Sequence, residues 1–361
     1  MHPSRVATRD PVVSVMVVDD SAVVRGLISR ALESDPQVMV VARAENGQAA
    51  LVQLDHIAVD VVILDLEMPV MDGMTALPLI LARQPGIKVI VASTLTLRNA
   101  RLSLETLKAG AADHVSKPEG GGLVHAEAFH RQLLDKVKAL GQAARGASVA
   151  PMPALRPTPT IVREPSARPR PTRPSVIAIG GSTGAPPVLI QVFEALRGAV
   201  SQPILVVQHM PAMFTTLLAE QLARAGNRPC AEAVDGEPVL PGHAYVAPGG
   251  WHMTVARSGS GEIIRLNQDS PEHFCRPAVD PLFHSVACTY GTGALAVILT
   301  GMGCDGAAGC QVVHDAGGRF VIQDEATSAV WGMPGAAART GSAERILPLS
   351  DIGPWLKQVA A

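Results

Sequence analysis

Short apolar runs, continuous rather than alternating, recur along this chain, and each is closed by a polar or glycine-rich turn that leads into a helical pattern. In the first third the runs are 12–18, 38–42, 59–64, 88–92 and 112–116, built mostly of Val, Ile and Leu. A strand that is apolar on both faces must be covered on both faces, and intervening helices supply the covers around a parallel sheet. The same rhythm resumes at 176–179, 204–207, 294–300 and 319–323. The expected fold class is therefore α/β, with two doubly wound parallel-sheet domains. Short apolar runs at 244–247, 252–256 and 263–266, separated by Gly and Pro clusters, add a small antiparallel extension to the second.

Ligands of open α/β sheets gather at the carboxyl ends of the strands, so the residues found there define the chemistry. The first domain places Asp19, Asp20, Asp65, Ser93 and Lys117 at those ends. Three convergent carboxylates repel unless a cation joins them, and an all-oxygen set suits Mg²⁺. A lysine and a hydroxyl nearby can hold phosphoryl oxygens. The physical reading is a metal-assisted phosphoryl-accepting site with Asp65 as nucleophile.

In the second domain, the run Val176-Ile177-Ala178-Ile179 is expected to stop at Gly180-Gly181, followed by Ser182-Thr183-Gly184 and a helical pattern from Val188 to Leu196. A glycine-rich turn of this kind can cradle a pyrophosphate, expose a nucleophile, or simply cap a helix. The GxGxxG spacing is missing, and the next strand ends in Gln208-His209 rather than in an acid. Asp305 lies in a third strand-end turn, Gly301-Met302-Gly303-Cys304-Asp305-Gly306. Singly, His209 reads equally as a strand-end histidine and Asp305 as a helix N-cap. Together, Ser182, His209 and Asp305 make a possible nucleophile, general base and orienting carboxylate.

Two family resemblances rest on these residues. Asp19-Asp20-Ser21, the run 61–69 ending in Asp65-Leu66-Glu67-Met68-Pro69, Met71-Asp72-Gly73 and Lys117-Pro118 resemble the response-regulator receiver family. That resemblance implies a flavodoxin-like sheet, phosphorylation of Asp65 by a histidine kinase, Mg²⁺ on Asp19, Asp20 and Asp65, and phosphoryl recognition by Ser93 and Lys117. Receivers often carry an aromatic residue where this chain has His114. Gly180-Gly181-Ser182-Thr183-Gly184, Gln208-His209-Met210-Pro211, Arg276-Pro277-Ala278-Val279-Asp280, the run 299–307 and Gly332-Met333-Pro334 resemble the chemotaxis methylesterase (CheB) family. That family usually has Ala where Gly181 stands and Gly where Ala185 stands. The resemblance implies hydrolysis of glutamyl methyl esters on methyl-accepting chemoreceptors, with release of methanol, and deamidation of certain receptor glutamines. Ser182, His209 and Asp305 would be the catalytic residues, and ester hydrolysis would need no cofactor. The receiver would restrain the esterase until Asp65 is phosphorylated.

The expected boundaries are a receiver at 12–130, a helix and Pro/Arg-rich linker at 131–174, and the catalytic domain at 175–361. From 141 to 174 the chain turns to Pro, Ala, Arg, Thr and Ser, with Glu164 as its one acid, a composition unable to bury a core. Formal net charge is -2, and no basic helix-turn-helix pattern occurs, so no nucleic-acid partner is expected. No apolar run is long enough to span a bilayer and the first residues lack a signal-peptide pattern, so a cytoplasmic protein without membrane insertion is expected. The alternative is a response regulator whose output domain only binds a partner. Cys230, Cys275, Cys288, Cys304 and Cys310 form no CxxC pair, and most are expected to be small buried residues rather than disulfides or zinc ligands.

Overall fold

The computed structural model describes residues 12–94, 96–117, 123–145, 173–259 and 261–361. The chain divides into two compact units, Met1–Ser148 and Val149–Ala361.

In the first unit, β1 (Val13–Val18), α1 (Ala22–Glu33), β2 (Val38–Ala44), α2 (Gly47–Leu54), β3 (Val61–Asp65), α3 (Gly73–Arg83), β4 (Lys88–Ser93), α4 (Leu97–Lys108), β5 (Asp113–Ser116) and α5 (Leu123–Ala144) follow in order. The strands form one parallel sheet, ordered β2-β1-β3-β4-β5. Buried Val, Ile and Leu fill β1, β3 and β4, as a doubly covered sheet requires. Polar side chains start the helices. Ser21, Asn46, Asp72 and Thr96 accept the backbone N–H groups of Val24, Ala49, Thr75 and Asn99, donors that have no partner inside their own helices. The order reverses between β1 and β3, so the ends carrying Asp19, Asp20 and Asp65 flank the crevice where such sheets bind ligands.

The expected break at 130 falls inside α5, which is continuous to Ala144. Leu133, Val137 and Leu140 are buried, Lys136 Nζ pairs with Asp113 Oδ2 at 2.8 Å, and Gly141 lies so close to Val13 that a Cβ could not fit. The helix therefore belongs to the sheet of the first unit. The rest of the expected linker, up to 172, lies outside the described residues.

The second unit contains β6 (Val176–Gly181), α6 (Ala185–Leu196), β7 (Ile204–Gln208), α7 (Phe214–Gly226), β8 (Cys230–Glu232), β9 (Ala244–Val246), β10 (His252–Ser258), β11 (Gly261–Asn267), α8 (Val279–Tyr290), β12 (Ala294–Ile298), α9 (Ala307–Asp315), β13 (Arg319–Gln323), α10 (Met333–Ala338), β14 (Arg345–Leu347) and α11 (Leu349–Ala360). Seven of the strands form a parallel sheet ordered β14-β13-β12-β6-β7-β9-β8, and β10 with β11 makes an antiparallel hairpin. The antiparallel extension is thus only that hairpin, because 244–246 pairs in parallel with β7. Phe193, Phe214, Phe283 and Phe320 are fully buried beside the sheet strands. Of the cysteines only Cys310 is buried, which corrects the expectation for most of them: Cys288 and Cys304 are exposed, Cys230 and Cys275 half-buried. All five are free.

β6 does not stop at its glycines. Gly180 pairs with Ile298 and Val207, and Gly181 with Gln208, so the strand carries Ser182 to the rim of the sheet. The missing side chains make room for neighbours: a Cβ on Gly180 would lie 2.5 Å from Val279 Cγ1, and one on Gly181 would lie 2.6 Å from Ala185 Cβ. The two departures from the methylesterase pattern therefore amount to one methyl group moved across a single contact. Overpacking costs about 1–3 kcal/mol, so Gly181→Ala alone is expected to lose stability in that range by urea denaturation. Adding Ala185→Gly is expected to recover most of the loss, and strictly additive effects in the double mutant would disprove the exchange.

Candidate functional site

The acids at the ends of β1 and β3 meet as expected. Asp19, Asp20 and Asp65 each offer an oxygen within 4.8 Å of the others. Lys117 Nζ reaches across the sheet edge to Asp19 Oδ2 at 2.6 Å and Asp65 Oδ1 at 2.8 Å. Asp19 and Asp65 are buried and Asp20 is exposed. Burial pushes the Asp65 carboxyl up and the Asp19 charge adds to this, against the pull of Lys117, so its pKa stands above the usual carboxylate value. Asp19 Oδ2 is buried and faces the Lys117 ammonium. Three clustered carboxylates that share one ammonium fit a hard divalent cation. Ser93 is buried, and its Oγ lies 2.9 Å from Ser103 Oγ on α4. His114, in the position receivers often give to an aromatic, is buried, and desolvation and Lys136 together lower its pKa to about 4. It is neutral at physiological pH.

In the second unit, the sheet order reverses around β6, with β12 on one side and β7 on the other. Ser182 follows β6, His209 follows β7 and Asp305 follows β12, so three separated segments meet at one crevice. Gly184, at φ 78°, makes the sharp entry into α6, a conformation that favours glycine. Backbone bonds hold the loops together: His209 N–H donates to Gly181 O (3.2 Å), Ser182 N–H to Thr300 O (3.1 Å), and Gln208 Nε2–H to Ser182 O (2.9 Å).

His209 Nε2 and Asp305 Oδ2 are 2.8 Å apart, and both side chains are nearly inaccessible. Asp305 is not the N-cap of its own helix. Gly306 holds that place, and the carboxylate turns instead to the first turn of α8. Its Oδ2 accepts the Val279 N–H at 2.6 Å and its Oδ1 the Asp280 N–H at 2.9 Å. Burial disfavours the charged carboxylate, but His209 and the two amides outweigh it and hold the group below the usual carboxylate range. Burial likewise disfavours the imidazolium, yet Asp305, with Cys275 nearby, outweighs it and holds the His209 pKa above its ordinary value. Asp305 thus stabilises the imidazolium that forms when the ring takes a proton. Ser182 is half-buried on the adjoining loop, and among the described residues its hydroxyl makes no hydrogen bond. The structure thus joins two of the three expected residues directly and sets the third beside them.

Sequence reasoning missed the α8 amides, Cys275, and a second pair, His273 Nε2 with Asp280 Oδ2 at 3.1 Å. The available signal was the Arg276-Pro277-Ala278-Val279-Asp280 motif, which matched the family pattern without an assigned role. Around the crevice Met213, His273 and Phe274 all adopt positive φ, a strain that non-glycine residues hold mostly at functional sites.

A receiver-type sheet with an acidic crevice, followed by an α/β unit with a Ser, His and Asp rim, defines a two-domain signalling hydrolase. The CheB methylesterase profile matches residues 177–356, and the response regulator receiver domain profile matches 15–128. A protein-glutamate methylesterase/protein-glutamine glutaminase of Azospirillum brasilense is 50% identical over 380 residues, spanning 100% of this chain and 95% of that protein. The group 2 operon enzyme of the same name from Rhodospirillum centenum is 51% identical over 370 residues, spanning 96% and 94%. The solved CheB methylesterase catalytic domain of Thermotoga maritima is 36% identical with a TM-score of 0.50, covering 52% of this chain and 98% of that one. The chain belongs to the CheB family of protein-glutamate methylesterases/protein-glutamine glutaminases.

Because Asp305 stabilises the protonated ring, Asp305→Asn is expected to lower the His209 pKa, as desolvation is then opposed by Cys275 alone. Imidazole titration by NMR reads this directly, and an unmoved value would show that the carboxylate does not hold the proton.

Proposed function

We propose that this enzyme hydrolyses γ-glutamyl methyl esters on the cytoplasmic helices of a chemoreceptor, with Ser182 as nucleophile, His209 as general acid and base, and Asp305 as the group that orients the imidazole. The observation that carries this reading is the buried His209–Asp305 pair at 2.8 Å, set beside Ser182 at the reversal of the sheet. His209 Nε2 is committed to Asp305, so Nδ1 is the nitrogen that serves the hydroxyl. Neutral His209 takes the Ser182 proton as Oγ bonds to the ester carbonyl carbon. The imidazolium then protonates the departing methoxy oxygen, and methanol leaves. Water, deprotonated by the same nitrogen, cleaves the seryl ester to give free glutamate and restore the hydroxyl. A glutamine side chain follows the same course with ammonia leaving. The Ser182 N–H already donates to Thr300 O, so the developing oxyanion is served by other backbone amides of the same rim. A donor of this sort contributes on the order of 3 kcal/mol to the transition state. The Ser182–His209 hydrogen bond tightens as substrate seats, since such bonds are often fully made only in the complex.

Asp65 is the proposed phosphoacceptor, supplied by a histidine kinase. Asp19, Asp20 and Asp65 would hold Mg²⁺, which when bound neutralises charge between the carboxylates and an incoming phosphoryl group. Lys117 pairs with the phosphoryl oxygens, and Ser93 exchanges its bond with Ser103 for one to the new group. The clustering of three carboxylates around one ammonium supports this arrangement. Among the described residues no helix is long and apolar enough to cross a membrane, and the proposed place of work is the cytoplasm.

Ser182→Ala is expected to fold normally and to release no methanol from methylated receptor membranes. Near-normal turnover by the folded variant would remove the serine from the mechanism. Asp65→Asn is expected to abolish the acceleration that a small phosphodonor gives the parent protein. If the variant is still accelerated, the phosphoacceptor is another group.

A further inference from the structure

The second His–Asp pair lies directly behind the first. Asp280 is the second residue of α8 and is 2% exposed. Its backbone N–H serves Asp305, while its side chain bonds elsewhere. Oδ1 accepts the Gly309 N–H at 2.6 Å, and Oδ2 meets His273 Nε2 at 3.1 Å. Gly309 is the third residue of α9, the helix that begins just after Asp305. The two helices are therefore clasped reciprocally. The loop entering α9 gives its carboxylate to the amides of α8, and α8 returns a carboxylate to an amide of α9.

The closeness of this contact depends on Gly309. A Cβ there would fall 2.6 Å from Phe283 Cβ and 3.0 Å from Asp280 Oδ1. His273, Asp280 and Asp305 offer atoms within 4.8 Å of one another, but the carboxylate oxygens are already committed to amides and imidazoles, so the cluster is a hydrogen-bonded network. Burial pushes the Asp280 carboxyl up, and the nearby Asp305 charge adds to this. A buried carboxylate beside another is costly unless hydrogen bonds compensate it, and here the Gly309 amide and His273 do so.

We propose that Asp280 is a positioning residue of the esterase: by binding the Gly309 amide and His273, it fixes the α8–α9 junction so that Asp305 is aimed at His209 Nε2. The inference rests on the esterase reading above. Its consequence is specific, because Asp280 reaches neither the ester nor the Ser182 hydroxyl and acts only through Asp305. Removing its charge should loosen the aim of the imidazole and spare the binding of the receptor.

The test is Asp280→Asn in the full-length protein, with methanol release from methylated receptor membranes as the assay and urea denaturation as the control for folding. We expect kcat to fall about 10- to 100-fold, the range caused by small misplacements of reacting groups, with KM within about twofold. The His209 Nε2–H resonance should shift or broaden in the folded variant. Gly309→Ala, which crowds the same carboxylate from α9, should reproduce the loss of kcat and the altered resonance. A folded Asp280→Asn enzyme with parental kcat and an unchanged His209 resonance overturns the proposal. So does a loss of rate that merely follows the unfolded fraction. Failure of the esterase reading looks different, since the parent protein itself would then release no methanol.

Discussion

A buried carboxylate needs donors, and Asp305 finds them in the first turn of a helix that lies 25 residues earlier in the chain. Much of the second unit follows from this need. The Val279 and Asp280 amides have no partner within α8, so the helix end provides unpaired N–H groups and partial positive charge where the carboxylate must stay ionised. Asp305 satisfied in this way can stabilise the His209 imidazolium, when it forms, despite its burial. The same contact joins α8 to the loop after β12 and so closes the wall of the crevice in which Ser182 stands.

The first unit solves a similar problem with a different counter-charge. Asp19 and Asp65 are buried beside each other, and Lys117 bridges them from beyond β5. One ammonium cannot satisfy three carboxylates. The raised pKa of Asp65 records the imbalance. A site left short of positive charge at rest is suited to a divalent cation. Both units thus place their chemistry at the reversal point of a parallel sheet, but one stabilises an internal ion pair and the other keeps charge in need of a partner.

Close backbone approach is the other common constraint. Gly180 and Gly181 continue β6 to the rim because Val279 and Ala185 fill the space that their side chains would need. Read in sequence, two adjacent glycines signal a strand end. In the structure they mark where a helix presses on the strand. The cysteines show the reverse error. Composition favours buried thiols, yet Cys275 and Cys304 lie near His209 and His273, on loops that the sheet brings to the crevice.

The alternation of apolar runs and helices, the acids and Lys117 at the first set of strand ends, and the placement of Ser182, His209 and Asp305 in strand-end turns could all be read from the chain, because strand burial and strand-end composition are local properties of sequence. The length of α5, the parallel pairing of β9, and the α8 amides that hold Asp305 could not. Backbone donors carry no residue signature, and whether a carboxylate caps its own helix or reaches another depends on which elements the fold brings together. Tertiary structure also decided that Asp280, an unassigned motif residue in sequence, stands behind Asp305 and clasps α9, since only the packing of two helix ends makes that contact possible.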